Sequence, residues 1–395
     1  MTKTSGLKIT DVKAMIVAGN FDWPLVRIET NAGIHGLGEA FTDWPAMKVK
    51  QAIMDRRSAL IGQDPTEVLP LVHRLGLSPF DTVACKAISG IEMALWDITG
   101  KVLGVPVYKL LGGRLRDEVR IYCDCHAGTP IRSLADYSYD HPENYTPEAF
   151  AANARWIKEL GFTLLKFDLY GVPEALVPQH SAMHSTQHVD YCTAVVQALR
   201  EEIGWERDLA ADYGGKPVGD AIRLIERIEP YRLAWAEDII PHNGYNARAM
   251  AEVTRAVVTP TLTGELLAPA MAFHDLITQH AVRIVAPDMS VVGGIHQMRM
   301  VGEMADQENL LIAPHNICTP VGTMAAVHAC ATLPNFAGLE YHAVGVPWWQ
   351  DIVYHEGVII DCRGYIRVPD APGIGVELNE QVVREHLYPG ETYFT

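Results

Sequence analysis

The sequence feature that most constrains the fold is a regular alternation of short apolar runs and helix-length segments between residues 119 and 342. Repeated strand–helix units of this kind form parallel strands joined by right-handed crossovers. The apolar runs number eight, which is the number that closes a (β/α)₈ barrel. The alternative is an open doubly wound sheet, but no Gly-x-Gly-x-x-Gly follows the first run. The sequence therefore predicts an α/β fold built on a modified TIM (β/α) barrel. The predicted strands are 119–125, 163–169, 207–213, 233–239, 260–266, 283–289, 309–315 and 336–342.

The residues before the barrel predict a separate α+β domain. Strands are expected at 8–19 and 24–41, and a helix at 45–60. A further helix is expected where Ala87, Ile91, Ala94 and Leu95 recur at helical spacing. We place the first domain at 1–140 and the barrel at 141–365, with its first strand from about 119, and expect 366–395 to return to the first domain.

Composition limits the partners and the compartment. The formal net charge of −16 argues against nucleic acid and anionic membranes, because both require a basic surface. The chain has no apolar run of about 18 residues and no apolar segment near its N-terminus, so neither a membrane span nor a signal peptide is expected. Its seven scattered cysteines favour free thiols in a reducing compartment. We therefore predict a cytoplasmic protein.

Three carboxylates end three successive barrel strands: Asp212, Glu237 and Glu265. The carboxyl ends of barrel strands meet at one mouth, so these groups are expected to converge and repel one another. A divalent cation relieves that repulsion, and an all-oxygen ligand set suits Mg²⁺. The alternative is that each carboxylate forms a separate salt bridge. We predict a Mg²⁺ site on these three residues.

Other polar residues end the remaining strands. Asp288 and His315 end the sixth and seventh strands, and a carboxylate behind an imidazole fixes its tautomer and raises its basicity. This pair therefore predicts a general base. Glu340 on the eighth strand is placed to hydrogen-bond a substrate oxygen, with a paired structural carboxylate as the alternative. Lys166 and Asp168 are two residues apart in the second strand, so both point into the barrel.

With these residues in view, the chain resembles the enolase superfamily, in the mandelate racemase-like branch that includes acid-sugar dehydratases. The resemblance covers essentially the whole chain. It is carried by IEMALWDITGK, VYKLLGG, LAADYGG, WAEDI, TGELLAP, APDMSVVGG, APHN and GLEYH. It implies a first domain that caps a modified barrel, a Mg²⁺ cofactor, and removal of a proton α to a carboxylate. By this match the metal ligands are Asp212, Glu237 and Glu265, and the catalytic pair is Asp288 and His315.

The segment from Lys166 to Asp168 refines the expected reaction. Racemising relatives typically carry Lys-x-Lys there, with the second lysine as a base, so Asp168 argues against a symmetric two-base racemase. The stretches KFD, VPWWQD and APGIGVELNE are similar to gluconate dehydratase-like members. The resemblance implies that His315 removes the α-proton of an aldonate while Mg²⁺ and Lys166 stabilise the enediolate. Loss of the 3-hydroxyl, assisted by an acid, then gives a 2-keto-3-deoxy sugar acid.

The acid that assists the leaving hydroxyl is left open. Several sugar-acid dehydratases place a histidine two residues after the first metal ligand, where this chain has Gly214. The remaining candidates are His315 itself, Asp168, Tyr213, His126 and His242.

Two alternative functions use the same residues. Epimerisation, racemisation or cycloisomerisation of a carboxylate substrate would pass through the same enediolate, and a ligand-binding or regulatory protein would keep the barrel without turnover. The expected partner is a small sugar acid, and the resemblance implies a homo-oligomer. Which sugar acid binds depends on loops such as 19–24 and 171–188, whose conformations the sequence does not predict.

Overall fold

A computed structural model describes residues 6–42, 45–130, 132, 141–170, 172–173, 176–177, 185–241 and 245–394. Two features singled out above lie wholly or partly outside these ranges. His242 is not among the described residues, and neither is most of the segment 171–188.

The first domain packs an antiparallel sheet against a long helix. The sheet contains β1 (Ile9–Ala18), β2 (Asp22–Thr30) and β3 (His35–Glu39), in that order. The helices are α1 (Met47–Asp55), α2 (Arg57–Leu60), α3 (Val68–Leu75), α4 (Thr82–Leu103) and α5 (Val107–Leu110). Helix α4 begins at Asp81, whose carboxylate accepts a hydrogen bond from the Ala84 backbone N–H (2.9 Å), and ends at Gly104 in a left-handed conformation. It contacts β3 so closely that only glycine fits at position 38. A Cβ there would lie 2.0 Å from the Gly90 carbonyl oxygen.

Eight parallel strands form the barrel, and each overlaps a predicted run. They are β4 (Glu118–Asp124), β5 (Leu164–Asp168), β6 (Asp208–Asp212), β7 (Ala236–Glu237), β8 (Thr261–Thr263), β9 (Ile284–Val285), β10 (Leu311–Ile312) and β11 (Leu339–Tyr341). Neighbours in sequence are neighbours in the sheet, and β11 pairs with β4. A bridge between Ile312 and Phe336 joins the other end of the sheet to the segment leading into β11. The predicted fold class is confirmed.

Helices cover the outside of the barrel. They are α6 (Pro147–Glu159), α7 (Thr186–Ile203), α8 (Val218–Ile228), α9 (Ala247–Ala256), α10 (His274–Thr278), α11 (Met289–Val292), α12 (Ile295–Gln307) and α13 (Pro320–Cys330). Helix α8 shows why they pack there: Ala221, Leu224, Ile225 and Ile228 recur at helical spacing and all four are buried. None of the described helices is long and apolar enough to cross a membrane.

The last part of the chain contacts both domains. It contains β12 (Val353–Tyr354), β13 (Tyr365–Arg367), β14 (Glu377–Leu378) and α14 (Glu380–Glu385). Strand β13 pairs antiparallel with β4 of the barrel. Leu387 forms a bridge to Val17 of β1, and Glu391 lies 2.6 Å from the Lys50 ammonium. The domain boundaries at residues 140 and 365 remain a prediction.

The first domain is fastened to the barrel beside the mouth. Glu39 of β3 accepts hydrogen bonds from the Thr319 N–H (2.9 Å) and hydroxyl (2.6 Å) and from the Gly322 N–H (3.0 Å), at the start of α13. The indole N–H of Trp23 donates to the Ile317 carbonyl (2.8 Å). These contacts place the first domain over the carboxyl ends of the strands, as expected for a capping domain.

Candidate active site

A cavity of about 580 Å³ opens where the capping domain meets the carboxyl ends of the barrel strands. Most strands contribute at least one ionisable side chain to its wall, and the capping domain contributes aromatic rings. The lining includes Phe21, Phe41, Asp124, His126, Lys166, Asp168, Tyr170, Asp212, Gly214, Asp238, Glu265, Leu266, His315, Ile317 and His342. Active sites of barrel enzymes lie at this mouth.

Lys166 is the buried cation at the base of the cavity, and only 2% of it is exposed. Its ammonium lies 3.1 Å from Asp124, 3.0 Å from Glu237 and 2.6 Å from Glu340. Burial alone would lower the pKa of Lys166, but these carboxylates raise it well above its usual range. The lysine is therefore charged and forms ion pairs with all three carboxylates.

The Glu340 carboxylate is bonded to residues of the barrel interior and is not among the described residues that line the cavity. Besides Lys166, it accepts hydrogen bonds from the Tyr122 hydroxyl (3.3 Å) and the Asn316 N–H (3.3 Å). Burial raises the pKa of Glu340 to about 8. These bonds match the alternative of a paired structural carboxylate, which holds Lys166 in place.

His315 and Asp288 are brought together as predicted. The His315 Nδ1 lies 2.6 Å from the Asp288 carboxylate, which also accepts hydrogen bonds from the backbone and side chain of Ser290. The other ring nitrogen, Nε2, faces Glu265 at 3.5 Å and Glu340 at 3.8 Å. Burial alone would lower the pKa of His315, but the surrounding carboxylates raise it to about 10. The imidazole thus points its Nε2 toward acidic groups at the mouth.

Four carboxylates lie on the β6–β8 side of the mouth: Asp212, Glu237, Asp238 and Glu265. Burial raises the pKa of Asp212 well above its usual range, and Glu237 and Asp238 raise it further. Burial, together with Asp238 and Glu237, also raises the pKa of Glu265 to about 7. Carboxylates that disfavour one another's ionisation form an oxygen-only donor set that fits a hard divalent cation. The residues predicted as metal ligands therefore suit Mg²⁺ chemically.

The described residues also contain two tighter groups of potential ligands. The ligand atoms of Asp124, His126 and His342 lie within 4.8 Å of one another, as do those of His315, Glu340 and His342. Among the described residues the predicted carboxylate trio is not one of these groups, and both oxygens of Glu237 accept hydrogen bonds, from Lys166 (3.0 Å) and from the Trp235 indole N–H (2.9 Å).

The first of these groups already has a compensating cation. Lys166 lies 3.1 Å from Asp124, and the His342 Nε2 lies 3.3 Å from the same oxygen. Burial alone would raise the pKa of Asp124, but His342, Lys166 and His126 hold it well below its usual range. A metal ion at this group would have to share Asp124 with the ammonium of Lys166.

Among the acidic and histidine side chains of this wall, Asp124, Asp238 and His342 were not predicted from the sequence. The sequence does contain a signal for two of them. Asp124 lies two residues after Tyr122, and His342 lies two residues after Glu340, so each shares the interior face of its strand. The rule that identified Lys166 and Asp168 therefore applies equally to β4 and β11.

Asp168 is engaged by a histidine from the neighbouring strand end. The His126 Nδ1 lies 2.6 Å from the Asp168 carboxylate, and both residues line the cavity. Gly214 also lines the cavity, and a Cβ there would lie 2.5 Å from the Tyr170 Cβ. Tyr170 thus occupies the space that a side chain at 214 would need. Tyr213 is buried and is not among the described lining residues.

The chain belongs to the mandelate racemase / muconate lactonizing enzyme family of the enolase superfamily. The model of the N-terminal domain of that family matches residues 12–112, and the enolase C-terminal domain-like model matches residues 149–382. A mandelate racemase/muconate lactonizing enzyme-like protein from Rubrobacter xylanophilus superposes with a TM-score of 0.91 at 34% identity, over 99% of this chain and 100% of that one. The predicted family is confirmed.

Two relatives are named for dehydration. A D-xylonate dehydratase from Haloferax volcanii is 35% identical over 98% of this chain and 90% of its own length. A D-galactonate dehydratase from Pectobacterium atrosepticum is 29% identical over 92% of this chain and 90% of its own length. These relatives confirm that the chain is an enzyme and a hydro-lyase.

Proposed function

We propose that the enzyme dehydrates an aldonate in a Mg²⁺-dependent reaction and releases a 2-keto-3-deoxy sugar acid. The observation that carries this proposal is the placement of His315. Its Nδ1 is bonded to Asp288, and its Nε2 faces the carboxylates of Glu265 and Glu340. This arrangement suits removal of a proton α to a carboxylate. The names of the xylonate and galactonate dehydratase relatives support the substrate class.

In this mechanism His315 takes the α-proton at Nε2. Asp288 holds Nδ1 at 2.6 Å, which fixes the ring orientation and stabilises the imidazolium that forms. Lys166 supplies positive charge at the base of the cavity, where the negative charge of the enediolate develops. Phe21 and Phe41 of the capping domain line the cavity and present apolar rings to it.

Asp212, Glu237 and Glu265 would hold the Mg²⁺, with Asp238 beside them. When bound, the ion supplies positive charge that makes the α-proton of a carboxylate substrate more acidic. Asp212 and Glu265 line the cavity directly, so a metal ion held by them would be within reach of the substrate.

The test is a panel of aldonates, including D-xylonate, D-galactonate and D-gluconate, incubated with the enzyme and Mg²⁺. We expect at least one of them to give a 2-keto product that reacts with semicarbazide, and we expect EDTA to abolish its formation. If no acid in the panel forms a 2-keto product or exchanges its α-proton with D₂O, the proposed function is wrong.

A second candidate function is epimerisation of a sugar acid. It is favoured by one observation, the presence of a second imidazole bonded to a carboxylate, His126 with Asp168, in the same cavity. A two-base epimerase requires such a group. The same panel separates the two functions, because epimerisation would invert a stereocentre without producing a carbonyl group.

A further inference from the structure

We propose that His126, positioned by Asp168, is the acid that protonates the departing 3-hydroxyl. This inference rests on the proposed dehydration and names the residue that completes it. His126 follows β4, the first barrel strand, and lines the cavity that also contains His315. Its Nδ1 lies 2.6 Å from Asp168, so the proton that the ring transfers is the one on Nε2.

The two imidazoles are close enough to act on one small substrate. The His342 ring is near both of them, with its centroid 4.6 Å from that of His126 and 6.0 Å from that of His315, and all three residues line the cavity. A dehydratase must remove a proton from one carbon and protonate the hydroxyl on the next. Both groups must therefore reach adjacent atoms of the same molecule.

The backbone at His126 is strained and firmly held. Its φ of 47° lies in the left-handed region, which is uncommon for residues other than glycine, although asparagine, aspartate and histidine adopt it more often than most. The Asn153 side-chain amide donates to the carbonyls on either side, Cys125 (2.9 Å) and Ala127 (2.8 Å). The His126 N–H donates to Asp124 (3.0 Å), and its carbonyl accepts from the Asp168 N–H (3.3 Å). Strain that the surrounding structure maintains in this way is typical of functional residues.

The other candidates for the acid fit less well. The Tyr213 hydroxyl is buried outside the described cavity lining, and Tyr170 occupies the space above Gly214. His342 lines the cavity, but burial lowers its pKa to about 4, so its ring is neutral near pH 7 and its Nε2 faces Asp124. His315, once it holds the α-proton, could return it to the hydroxyl in a syn elimination, and dehydration retained in His126→Asn would assign the acid role to His315 instead.

The charges around His126 favour its protonated form. Asp124 on β4 and Asp168 on β5 face the ring, together with the Lys166 ammonium and His342 beyond β11. Burial alone would lower the pKa of His126, but the two carboxylates raise it above its usual value. An acid that must be protonated at neutral pH requires such an environment.

The step balances as follows. His315 takes the α-proton, and the electron pair of that C–H bond enters the enediolate. This pair then forms the C2–C3 double bond as the C3–O bond breaks, and the hydroxyl takes the His126 proton and leaves as water. The resulting enol gains a proton at C3 and loses its hydroxyl proton to give the ketone, while solvent returns the two histidines to their starting states.

The test is His126→Asn, with D-xylonate or D-galactonate as substrate, whichever the wild-type enzyme dehydrates. Asparagine tolerates a left-handed φ, so the backbone is preserved. His280→Asn is the matched control, because His280 also has a left-handed φ (48°) but lies in a surface ion pair with Glu308. We expect His126→Asn to lower formation of the 2-keto acid by about 10²–10⁴-fold and the control to leave it unchanged.

A substrate whose leaving group needs no acid makes the test decisive. Fluoride departs as an anion, so elimination from the 3-deoxy-3-fluoro analogue should stay within about tenfold of wild type in His126→Asn. The proposal is wrong if dehydration is retained within about tenfold, or if both substrates lose activity together. If instead the proposed dehydratase function is wrong, the wild-type enzyme itself will form no 2-keto acid, so the two failures can be told apart.

Asp168→Asn tests the positioning role. Loss of this negative charge lowers the pKa of His126, so the alkaline limb of the kcat/KM profile, where the acid loses its proton, should move to lower pH. A purely structural role would lower activity at every pH without moving that limb.

Discussion

The two histidines at the cavity are held alike but lie in different surroundings. Each has its Nδ1 2.6 Å from a carboxylate, Asp288 for His315 and Asp168 for His126. The Nε2 of His315 faces Glu265, one of the four carboxylates on the β6–β8 side. His126 instead lies beside Asp124, which forms an ion pair with Lys166. The capping domain adds the Phe41 ring 6.0 Å from His315.

In the proposed mechanism this difference separates two proton transfers within one cavity. The β6–β8 side carries Asp212 and Glu265, whose pKa values are raised by burial and by neighbouring carboxylates, so it is suited to bind a cation, and the charge on His315 then depends on whether that cation is present. On the other side the Lys166 ammonium lies 3.1 Å from Asp124 and supplies a resident positive charge, so we expect the environment of His126 to depend less on the metal. A base and an acid of the same residue type can therefore coexist in one cavity.

The largest expected effect comes from His315→Asn. Removal of the base should lower exchange of the substrate α-proton with D₂O by about 10²–10⁴-fold, measured by proton NMR. Mg²⁺ affinity should remain close to wild type, because His315 is not among the proposed ligands. Exchange at the wild-type rate would remove His315 from the role of base, and His280→Asn again serves as the surface control.

The next largest effect should be on Mg²⁺ affinity, which we expect to depend on the β6–β8 carboxylates and not on Asp124. Glu265→Gln removes a proposed ligand, so we expect Mg²⁺ affinity to fall by roughly 100-fold or more, since even groups behind the ligands commonly cost about 10–100-fold. Asp124→Asn, on the side that contains Lys166, should change affinity by only a few-fold. Isothermal titration calorimetry measures both variants. The reverse ranking would place the metal at Asp124, His126 and His342 instead.

Removal of the metal should change the two imidazoles unequally. A cation beside Glu265 disfavours the imidazolium form of His315, so Mg²⁺ should lower its pKa, and EDTA should return it toward about 10. The pKa of His126 should change far less. Titration of ¹⁵N-histidine-labelled enzyme by NMR, with and without EDTA, measures both values. Equal shifts at both rings would contradict the comparison.

Much of this arrangement was predictable because it follows from periodicity. The repeated strand–helix unit predicted all eight barrel strands, and the polar residues at the strand ends predicted that Asp288 lies beside His315 and that Lys166 points into the same mouth. These assignments need only the alternation of side chains along a strand and the closure of the sheet.

The remaining features depend on contacts between distant segments. The left-handed φ of His126 is maintained by Asn153 in α6, and no local pattern links the two residues. Which carboxylates share the Lys166 ammonium depends on side-chain orientation across β4, β5, β7 and β11. The expected helix at 45–60 is also divided at Arg56 into α1 and α2.

The smallest expected effect concerns the backbone that holds His126. Asn153→Ala leaves the Cys125 and Ala127 carbonyls without their donor, which should lower the free energy of unfolding by about 1–3 kcal/mol. Asn335→Ala is a matched control, because Asn335 bonds two carbonyls in the same way, those of Gly302 (3.1 Å) and Leu310 (2.8 Å). Both variants should lose similar stability in urea denaturation. Only Asn153→Ala should also reduce dehydration relative to α-proton exchange, by several-fold, because it lets His126 move while His315 stays in place. An equal ratio in the two variants would show that the strained backbone at His126 has no part in proton transfer.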